Sequence, residues 1–311
     1  MSTQVETENW QNTARHIAQS IRLRVLDHVL KNNGGYMSQA CSSAELLSVL
    51  YTKVMNLEPS IALMIPPPFP GVPSKDNPNS FSGAGYNGPK APHLDRFIFS
   101  PSHYALVLYS VLIETGRMAP EGLEQFNQDG STVEMIGAEH SPGCEVTSGS
   151  LAQALSQAAG IALARRMRSE TGRVWVFLSD GELQEGQTWE TLAVLSAYRL
   201  DNVGIYVDVN GQQCDGRMEA VMNMEPLAAK LEAFGARVFE VDGHDVDALA
   251  APAALAPDGR PLVVLARTDA CRGLDLMRER APKLHYLRFT SEEERQSYQK
   301  VYQHMCGNSE E

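Results

Sequence analysis

Residues 174–190 have the sequence VWVFLSDGELQEGQTWE, in which a short apolar run ends in a polar turn. The run at 174–178 predicts a buried β-strand, and residues 187–199 predict a helix. The same order follows at once, because VGIYVDV (203–209) predicts a second buried strand, which ends at Asn210. Apolar strands separated by a helix are typical of a parallel sheet that helices cover on both faces.

The alternation of strand and helix continues toward the carboxyl end of the chain. Apolar periodicity predicts two more helices and two more strands, at 225–234, 245–250, 238–241 and 261–266. Residues 291–311 are polar and predict a terminal helix and tail. We therefore expect an α/β fold with a mostly parallel sheet over residues 1–290, followed by this terminal helix.

The first half of the chain has helical periodicity. A helix over about residues 10–31 places apolar residues on one face and ends at the stop signal Asn33-Gly34-Gly35. A second helix is predicted with Ser43 as its N-cap, and residues 105–113 resume the apolar periodicity. The stripe of the second helix consists of Leu46, Leu47, Leu50 and Val54. Each of these helices therefore has one apolar face to bury.

Residues 64–96 interrupt this pattern with a stretch rich in Pro, Gly, Ser and Asn. The stretch is too long for an ordinary connection inside a compact domain. It is either a disordered linker or an ordered loop that serves the function or an interface. Because apolar periodicity resumes directly after it, we favour the ordered loop.

Composition excludes several classes of protein. The 311 residues include 26 basic and 38 acidic ones, for a net charge of −12, which argues against nonspecific binding of nucleic acid or anionic membranes. No uncharged apolar run approaches the roughly 20 residues of a membrane helix, and the polar amino terminus is not a signal peptide. The five cysteines are scattered without CxxC spacing, as expected for reduced thiols. We expect a soluble cytoplasmic protein.

Two polar side chains follow neighbouring predicted strands. Asp180 and Asn210 lie 30 residues apart, one strand–helix–strand unit, so both can reach the crevice at the carboxyl ends of the strands. A carboxylate, an amide oxygen and the main-chain carbonyl of Gln212 form a set of hard ligands suited to Mg²⁺ and a diphosphate. Gly181 permits a tight turn and close approach to a ligand. The alternative is structural, with Asp180 capping the next helix.

Longer stretches of the sequence carry a resemblance to a known family. SDGELQEGQTWE followed by DVNGQQCDG resembles the thiamine-diphosphate motif, and 181–190 match the GxxxEGxxWE stretch of transketolase. RFIFSPSHYALVLYSVL (96–112) and PGCEVTSGSLAQALSQAAGIALA (142–164) are similar to two further transketolase segments, and VDGHD (241–245) is another matching piece. CRGLDLMRERAPKLH (271–285) resembles separately encoded amino-terminal transketolase subunits. The chain is thus identified as a member of the transketolase family, with its thiamine-diphosphate-binding fold.

The resemblance implies roles for individual residues. His103, His285 and, less directly aligned, His140 stand at or near catalytic histidines of the family. The implied thiamine-diphosphate contacts are Gly149, Leu151, Asp180, Gly181, Glu185 and Asn210, and the implied ligands of Mg²⁺ (or Ca²⁺ or Mn²⁺) are Asp180, Asn210 and Gln212. The chain departs from the family at Ser179, where a glycine is expected, at Ala152 and Ala154, and at Asn32-Asn33, where a histidine is expected.

The resemblance also implies a partner. A complete transketolase continues into a pyrimidine-binding domain and a carboxyl-terminal domain, so this chain is expected to be the amino-terminal subunit of a split transketolase with a separately encoded carboxyl-terminal subunit. The pair would transfer a two-carbon ketol unit from a ketose to an aldose, phosphorylated, sulfonated or neither, as a dimer of heterodimers. Two alternatives stay open: a noncatalytic or regulatory subunit with a thiamine fold, and the α subunit of a 2-oxoacid dehydrogenase.

Overall fold

A computed structural model of the chain describes residues 2–72, 74–78 and 80–307. Its centre is a sheet of five parallel strands in the order β1-β2-β3-β7-β6. These strands are β1 (Arg96–Phe99), β2 (Val174–Ser179), β3 (Val203–Val209), β6 (Arg237–Asp242) and β7 (Leu262–Arg267), and β4 (Gln212–Gln213) and β5 (Gly216–Arg217) form a small antiparallel hairpin. The predicted parallel sheet is confirmed, and β1 is an edge strand beyond those predicted.

Helices cover both faces of this sheet. They are α1 (Ser2–Asn32), α2 (Met37–Val49), α3 (Ala105–Glu114), α4 (Gln153–Met167), α5 (Gly186–Ala197), α6 (Met218–Val221), α7 (Leu227–Ala233), α8 (Val246–Ala250) and α9 (Glu292–Gly307). Successive strand residues enter opposite cores, since Trp175 and Phe177 pack with α1–α3 whereas Val174 and Val176 pack with α4, α5 and α7. Burial on both faces explains why β2, β3 and β7 are mainly apolar along their length rather than alternating, whereas the edge strand β6 is only partly buried.

The amino-terminal helices differ in one respect from the prediction. The first helix is confirmed and ends at Asn32, after which Asn33 takes a left-handed φ of 52°. The second begins at Met37, so the prediction of Ser43 as its N-cap was wrong. The Ser43 hydroxyl donates to the carbonyl of Gln39 at 2.7 Å, inside the helix. A serine can make this bond to the preceding turn without ending a helix.

The proline- and glycine-rich stretch lies between α2 and β1. A short 3₁₀ turn, Gly83–Asn87, is its only regular helix among the described residues. The stretch packs onto the body of the domain, since Tyr86 is fully buried and the amide of Phe69 donates to the carbonyl of Gly130 at 2.8 Å. Part of it is apolar and exposed, including Ile65 at 51% and Val72 at 68%. The described residues of the stretch therefore form a packed loop with an apolar outer surface.

The terminal helix α9 packs on α1. Arg295 donates to the carbonyl of Leu30 at 2.8 Å, and Tyr298 is only 2% exposed in the same core as α1. The predicted tail beyond residue 307 lies outside the described residues. All five cysteines are free. Among the described helices, none combines the length and apolar character required to span a bilayer.

Candidate active site

Asp180 and Asn210 meet at the carboxyl edge of the sheet. Strands β2 and β3 are parallel neighbours, with Ser179 opposite Asp208, so the residues that follow the two strands share one edge. The amide of Gly211 donates to Oδ2 of Asp180 at 2.8 Å and ties the two strand ends together. Asp180, Asn210 and Gln212 line one cavity of about 290 Å³, which Arg267 and Thr268 help to enclose. The three predicted cation ligands therefore converge.

The Asp180 carboxyl is buried without a positive partner. Asp180 is 3% exposed, and no Lys, Arg or His among the described residues forms an ion pair with it. Burial raises the pKa of this carboxyl to about 8, and the charge of the nearby Asp208 adds to the rise. A bound divalent cation would stabilise the ionised form of such a group.

Two other residues that line this cavity, Asn210 and Gln212, carry side-chain amide oxygens. Oδ1 of Asn210 accepts from the amide of Gln212 at 2.9 Å and keeps a second lone pair. Oε1 of Gln212 is buried and accepts no hydrogen bond from the described residues. No cluster of three or more His, Cys, Asp or Glu side chains suited to a metal occurs in the described part of the chain. One carboxylate with amide oxygens fits a hard cation that also keeps phosphate or water ligands.

The turn after β2 tolerates both of its unusual positions. Ser179 has φ −96° and ψ 158°, which any residue adopts, so serine in place of the family's glycine causes no backbone strain. At Gly181 a Cβ would meet no atom within 4 Å, and its φ is not positive. The sequence suggested two reasons for a glycine at position 181, a tight turn and close approach to a ligand. The backbone conformation does not require glycine for the turn, so close approach to a ligand is the reason that fits.

Glu182 is a site residue that the motif comparison passed over. It is fully buried and accepts hydrogen bonds from the Ser100 hydroxyl, the amide of Ala152 at 2.9 Å and the amide of Ser179 at 2.8 Å. It thereby joins the ends of β1 and β2 to the start of α4. Ser179 and Glu182 form a capping box, and that S-x-x-E spacing was visible in the sequence. Glu185, by contrast, is exposed at the N-cap of α5, so its predicted cofactor contact stays a prediction.

The segment before α4 connects this turn to His103. Gly149 has φ +99°, and a Cβ there would lie 3.8 Å from the hydroxyl oxygen of Ser102, the neighbour of His103. Leu151 follows, partly buried, and Ala152 holds a left-handed φ of 69° while donating to Glu182. The family's glycine would adopt this conformation freely, so the alanine here is strained. Gly149 and Leu151 thus lie between the His103 segment and the Asp180 turn.

His103 and His285 form a pair of imidazoles with centroids 5.1 Å apart. Burial, with a smaller contribution from His285, lowers the pKa of His103 to about 3, and burial also lowers the pKa of His285. Tyr36 contacts both rings, with centroid distances of 5.8 Å and 5.4 Å. The backbone bridge between Gly35 and Leu287 holds the two segments together. Tyr36 was not anticipated, because only the fold brings residues 36 and 285 into contact.

Gln39 sets the tautomer of His285. Its Oε1 accepts from the hydroxyl of Ser38 at 2.9 Å, which leaves its amide nitrogen 3.3 Å from Nδ1 of His285. An amide nitrogen can only donate, so Nδ1 accepts and the imidazole carries its proton on Nε2. His285 is therefore a neutral ring that can donate a hydrogen bond through Nε2.

His140 has different surroundings. Its Nε2 lies 2.6 Å from Oε1 of Glu134, and its ring lies against Phe69, with centroids 4.4 Å apart. Among the described residues, its ring contact is with Phe69 and not with the rings of His103 and His285. The structure thus brings together two of the three predicted catalytic histidines, and the role of His140 stays a prediction.

In a comparison with known protein families, residues 81–276 match the family described as "Transketolase, thiamine diphosphate binding domain". A relative from Sinorhizobium fredii, "Putative uncharacterized transketolase family protein y4mO", is 34% identical over 87% of this chain and 90% of its own length. The "6-deoxy-6-sulfo-D-fructose transketolase subunit SqwG" of a Clostridium species is 29% identical over 83% of this chain and 86% of its own length.

A solved structure has the same fold. A transketolase mutant from Pichia stipitis superposes with a TM-score of 0.68 at 23% sequence identity. The match covers 96% of this chain but only 45% of that one. The chain therefore corresponds to somewhat less than half of the solved transketolase, whereas it spans most of the two shorter relatives.

Proposed function

The chain belongs to the transketolase family through its thiamine diphosphate-binding domain, and we propose that it is the amino-terminal subunit of a two-component transketolase. Two relatives matched over 86–90% of their own length support this proposal, and one of them is named as a subunit. The reaction would be transfer of a two-carbon ketol unit from a ketose to an aldose.

The observation that carries the proposal is the buried Asp180 carboxyl, which shares a cavity with Asn210 and Gln212 and lacks a positive partner. These three residues would hold Mg²⁺, and Gly181 would let the chain approach a diphosphate closely. Thiamine diphosphate, when bound, supplies the carbon centre that carries the ketol unit. Gly149 and Leu151 would line its bed between the His103 segment and the Asp180 turn.

The histidine pair would handle protons on the sugar. Because burial lowers the pKa of both rings, His103 and His285 are neutral near pH 7. His285, with its proton on Nε2, would donate to a substrate oxygen, while an unprotonated nitrogen of His103 would accept a proton from a hydroxyl. His140 would serve as a third, more distant group. Closure of this site against water would strengthen both interactions.

A second polypeptide would complete the site. We propose a separately encoded subunit that supplies the pyrimidine-binding half, with the cofactor at the interface and the whole assembled as a dimer of heterodimers. The apolar outer surface of the loop at 64–96 would contribute to this contact. The ketose and aldose would be phosphorylated, sulfonated or neither, because the residues that grip the far end of the sugar would belong to the partner.

Calorimetry on the co-purified pair tests this proposal. Thiamine diphosphate with Mg²⁺ should bind to the wild-type pair and not to Asp180→Ala, while Asp129→Ala, which alters an exposed carboxylate, should bind as wild type. His285→Ala should lower ketol transfer far more than cofactor affinity, since its ring packs against His103 and does not line the cavity of the proposed cation ligands.

The alternatives predict different results. A wild-type pair that binds no cofactor would be a noncatalytic subunit complex, and the strained Ala152 is the feature that favours that reading. Release of CO₂ from pyruvate in place of ketol transfer would indicate a 2-oxoacid dehydrogenase. Equal loss of transfer and cofactor binding in His285→Ala would contradict the role given to that histidine.

A further inference from the structure

Asp208 is a buried acid inside an otherwise apolar strand. It lies in β3, is 0% exposed, and forms no ion pair with a Lys, Arg or His of the described residues. Burying a carboxyl without a positive partner is unfavourable unless hydrogen bonds compensate. Four donors from three other segments and from its own strand end supply them: the hydroxyls of Ser42, Tyr104 and Thr268 and the amide of Asn210.

These hydrogen bonds fix the orientation of the Asn210 amide. Its Nδ2 donates toward three oxygens: Oδ2 of Asp208 at 3.2 Å, the Tyr104 hydroxyl at 3.1 Å and the Ser42 hydroxyl at 3.3 Å. If the amide were reversed, Oδ1 would face the carboxyl oxygen of Asp208, and two acceptors would meet. Oδ1 is instead held on the side of Gln212, which lines the cavity.

From this arrangement we propose that Asp208 is the positioning residue of the cation site: it does not touch the cation, but holds the Asn210 amide so that its oxygen faces the cavity. The inference rests on the proposed function, since it assigns a role within that cation site. Groups behind a metal ligand that fix its orientation commonly change metal affinity by 10–100-fold when replaced.

Asp208 also connects the cation site to the histidine pair. Tyr104, which donates to Asp208 at 2.8 Å, is the next residue after His103, and their rings have centroids 4.7 Å apart. Hydrogen bonds from Thr268 and Ser42 also connect Asp208 to the end of β7 and to α2, respectively. Removing this carboxyl would therefore loosen Asn210 and the His103 segment together.

An exchange of acid and amide tests the proposal. Mn²⁺, detected by electron paramagnetic resonance, is titrated into the full chain with its partner in the presence of inorganic diphosphate. We expect Asn210→Asp and Asp208→Asn each to weaken Mn²⁺ binding at least tenfold, the first because two carboxyls would then face each other. The double variant carrying both changes restores one donor opposite one carboxylate, and its Mn²⁺ affinity should return to within about threefold of wild type.

The opposite results would overturn the proposal. If Asn210 acted as an independent ligand, Asn210→Asp would bind Mn²⁺ as tightly as wild type or more tightly, because a carboxylate is the better ligand. A double variant no better than the single ones would equally exclude the positioning role. If Asp208→Asn does not fold, Asn210→Asp compared with Asn210→Ala still decides, since Asn210→Asp should bind Mn²⁺ no better than Asn210→Ala.

Tyr206→Phe is the matched control. It removes a buried hydrogen bond from the same strand, in which the Tyr206 hydroxyl donates to the carbonyl of Leu249 at 2.8 Å, and it leaves the contacts of Asp208 with Asn210 in place. We expect this variant to lose stability in urea but to keep its Mn²⁺ affinity within about threefold. A wild-type pair that binds no Mn²⁺ would overturn the proposed function as well, whereas binding that all variants retain would overturn only the role of Asp208.

Discussion

Replacing His103 by phenylalanine tests the electrostatic consequence of burying two imidazoles side by side. The His103 ring contacts Tyr36, Tyr104 and His285, so phenylalanine keeps an aromatic ring in the same place while removing its ability to take up a proton. Any difference between the two proteins that varies with pH then reports the titration of His103, because the change in packing is the same at every pH.

The size of the effect follows from the pKa. Burial lowers the pKa of His103 from 6.5 to about 3, so the unfolded chain binds a proton below pH 6.5 that the folded chain does not take up until about pH 3. Stability is therefore lost as the pH falls through this window. At 1.36 kcal/mol per pH unit, the 1.5 units between 6.5 and 5 correspond to about 2 kcal/mol.

Urea unfolding measures this difference. The unfolding free energy of His103→Phe minus that of wild type should rise by about 2 kcal/mol between pH 7.5 and pH 5. His16→Phe is the control, because it replaces an exposed imidazole on α1 and should show no such rise. A difference for His103→Phe that stays constant within about 0.5 kcal/mol across this range would refute the burial argument and the neutral state assigned to His103.

Two further substitutions separate ligand binding from backbone conformation. Gly181→Ala should leave the unfolding free energy within about 0.5 kcal/mol of wild type, because the new Cβ would meet no atom within 4 Å. The same variant should weaken the binding of thiamine diphosphate, measured by calorimetry. Unchanged affinity would show that the cofactor does not approach this part of the backbone. Ser169→Gly should raise the unfolding free energy by about 0.4–1 kcal/mol in thermal melts, because Ser169 holds a left-handed φ of 57° just past α4, and a loss of stability would contradict that reason.

The sheet was predictable because its strands are buried on both faces. Continuous runs such as 174–178 and 203–209 carry that signal without any knowledge of the partners, and the residues that follow them then share one edge. The start of α2 was not predictable in the same way. Ser43 has the chemistry of an N-cap, but whether its hydroxyl caps a helix or bonds to the turn before it depends on where the helix begins, which packing decides.

The residues of the site also differ in whether local sequence or tertiary contacts determine their roles. Asp180 and Asn210 follow the ends of strands, so the local sequence is enough to predict their positions. The roles of Glu182 and Asp208 depend on hydrogen bonds to residues between 30 and 166 positions away in the sequence. The sequence nevertheless contained one signal for each of them: the S-x-x-E spacing for Glu182, and an acid within an apolar run for Asp208. An acid within an apolar strand must find donors, and two of the four donors to Asp208 come from the segments that carry Asn210 and His103. A buried acid beside a predicted cation ligand is therefore itself a prediction about that ligand's orientation, and the exchange of Asp208 and Asn210 is the experiment that decides whether it holds.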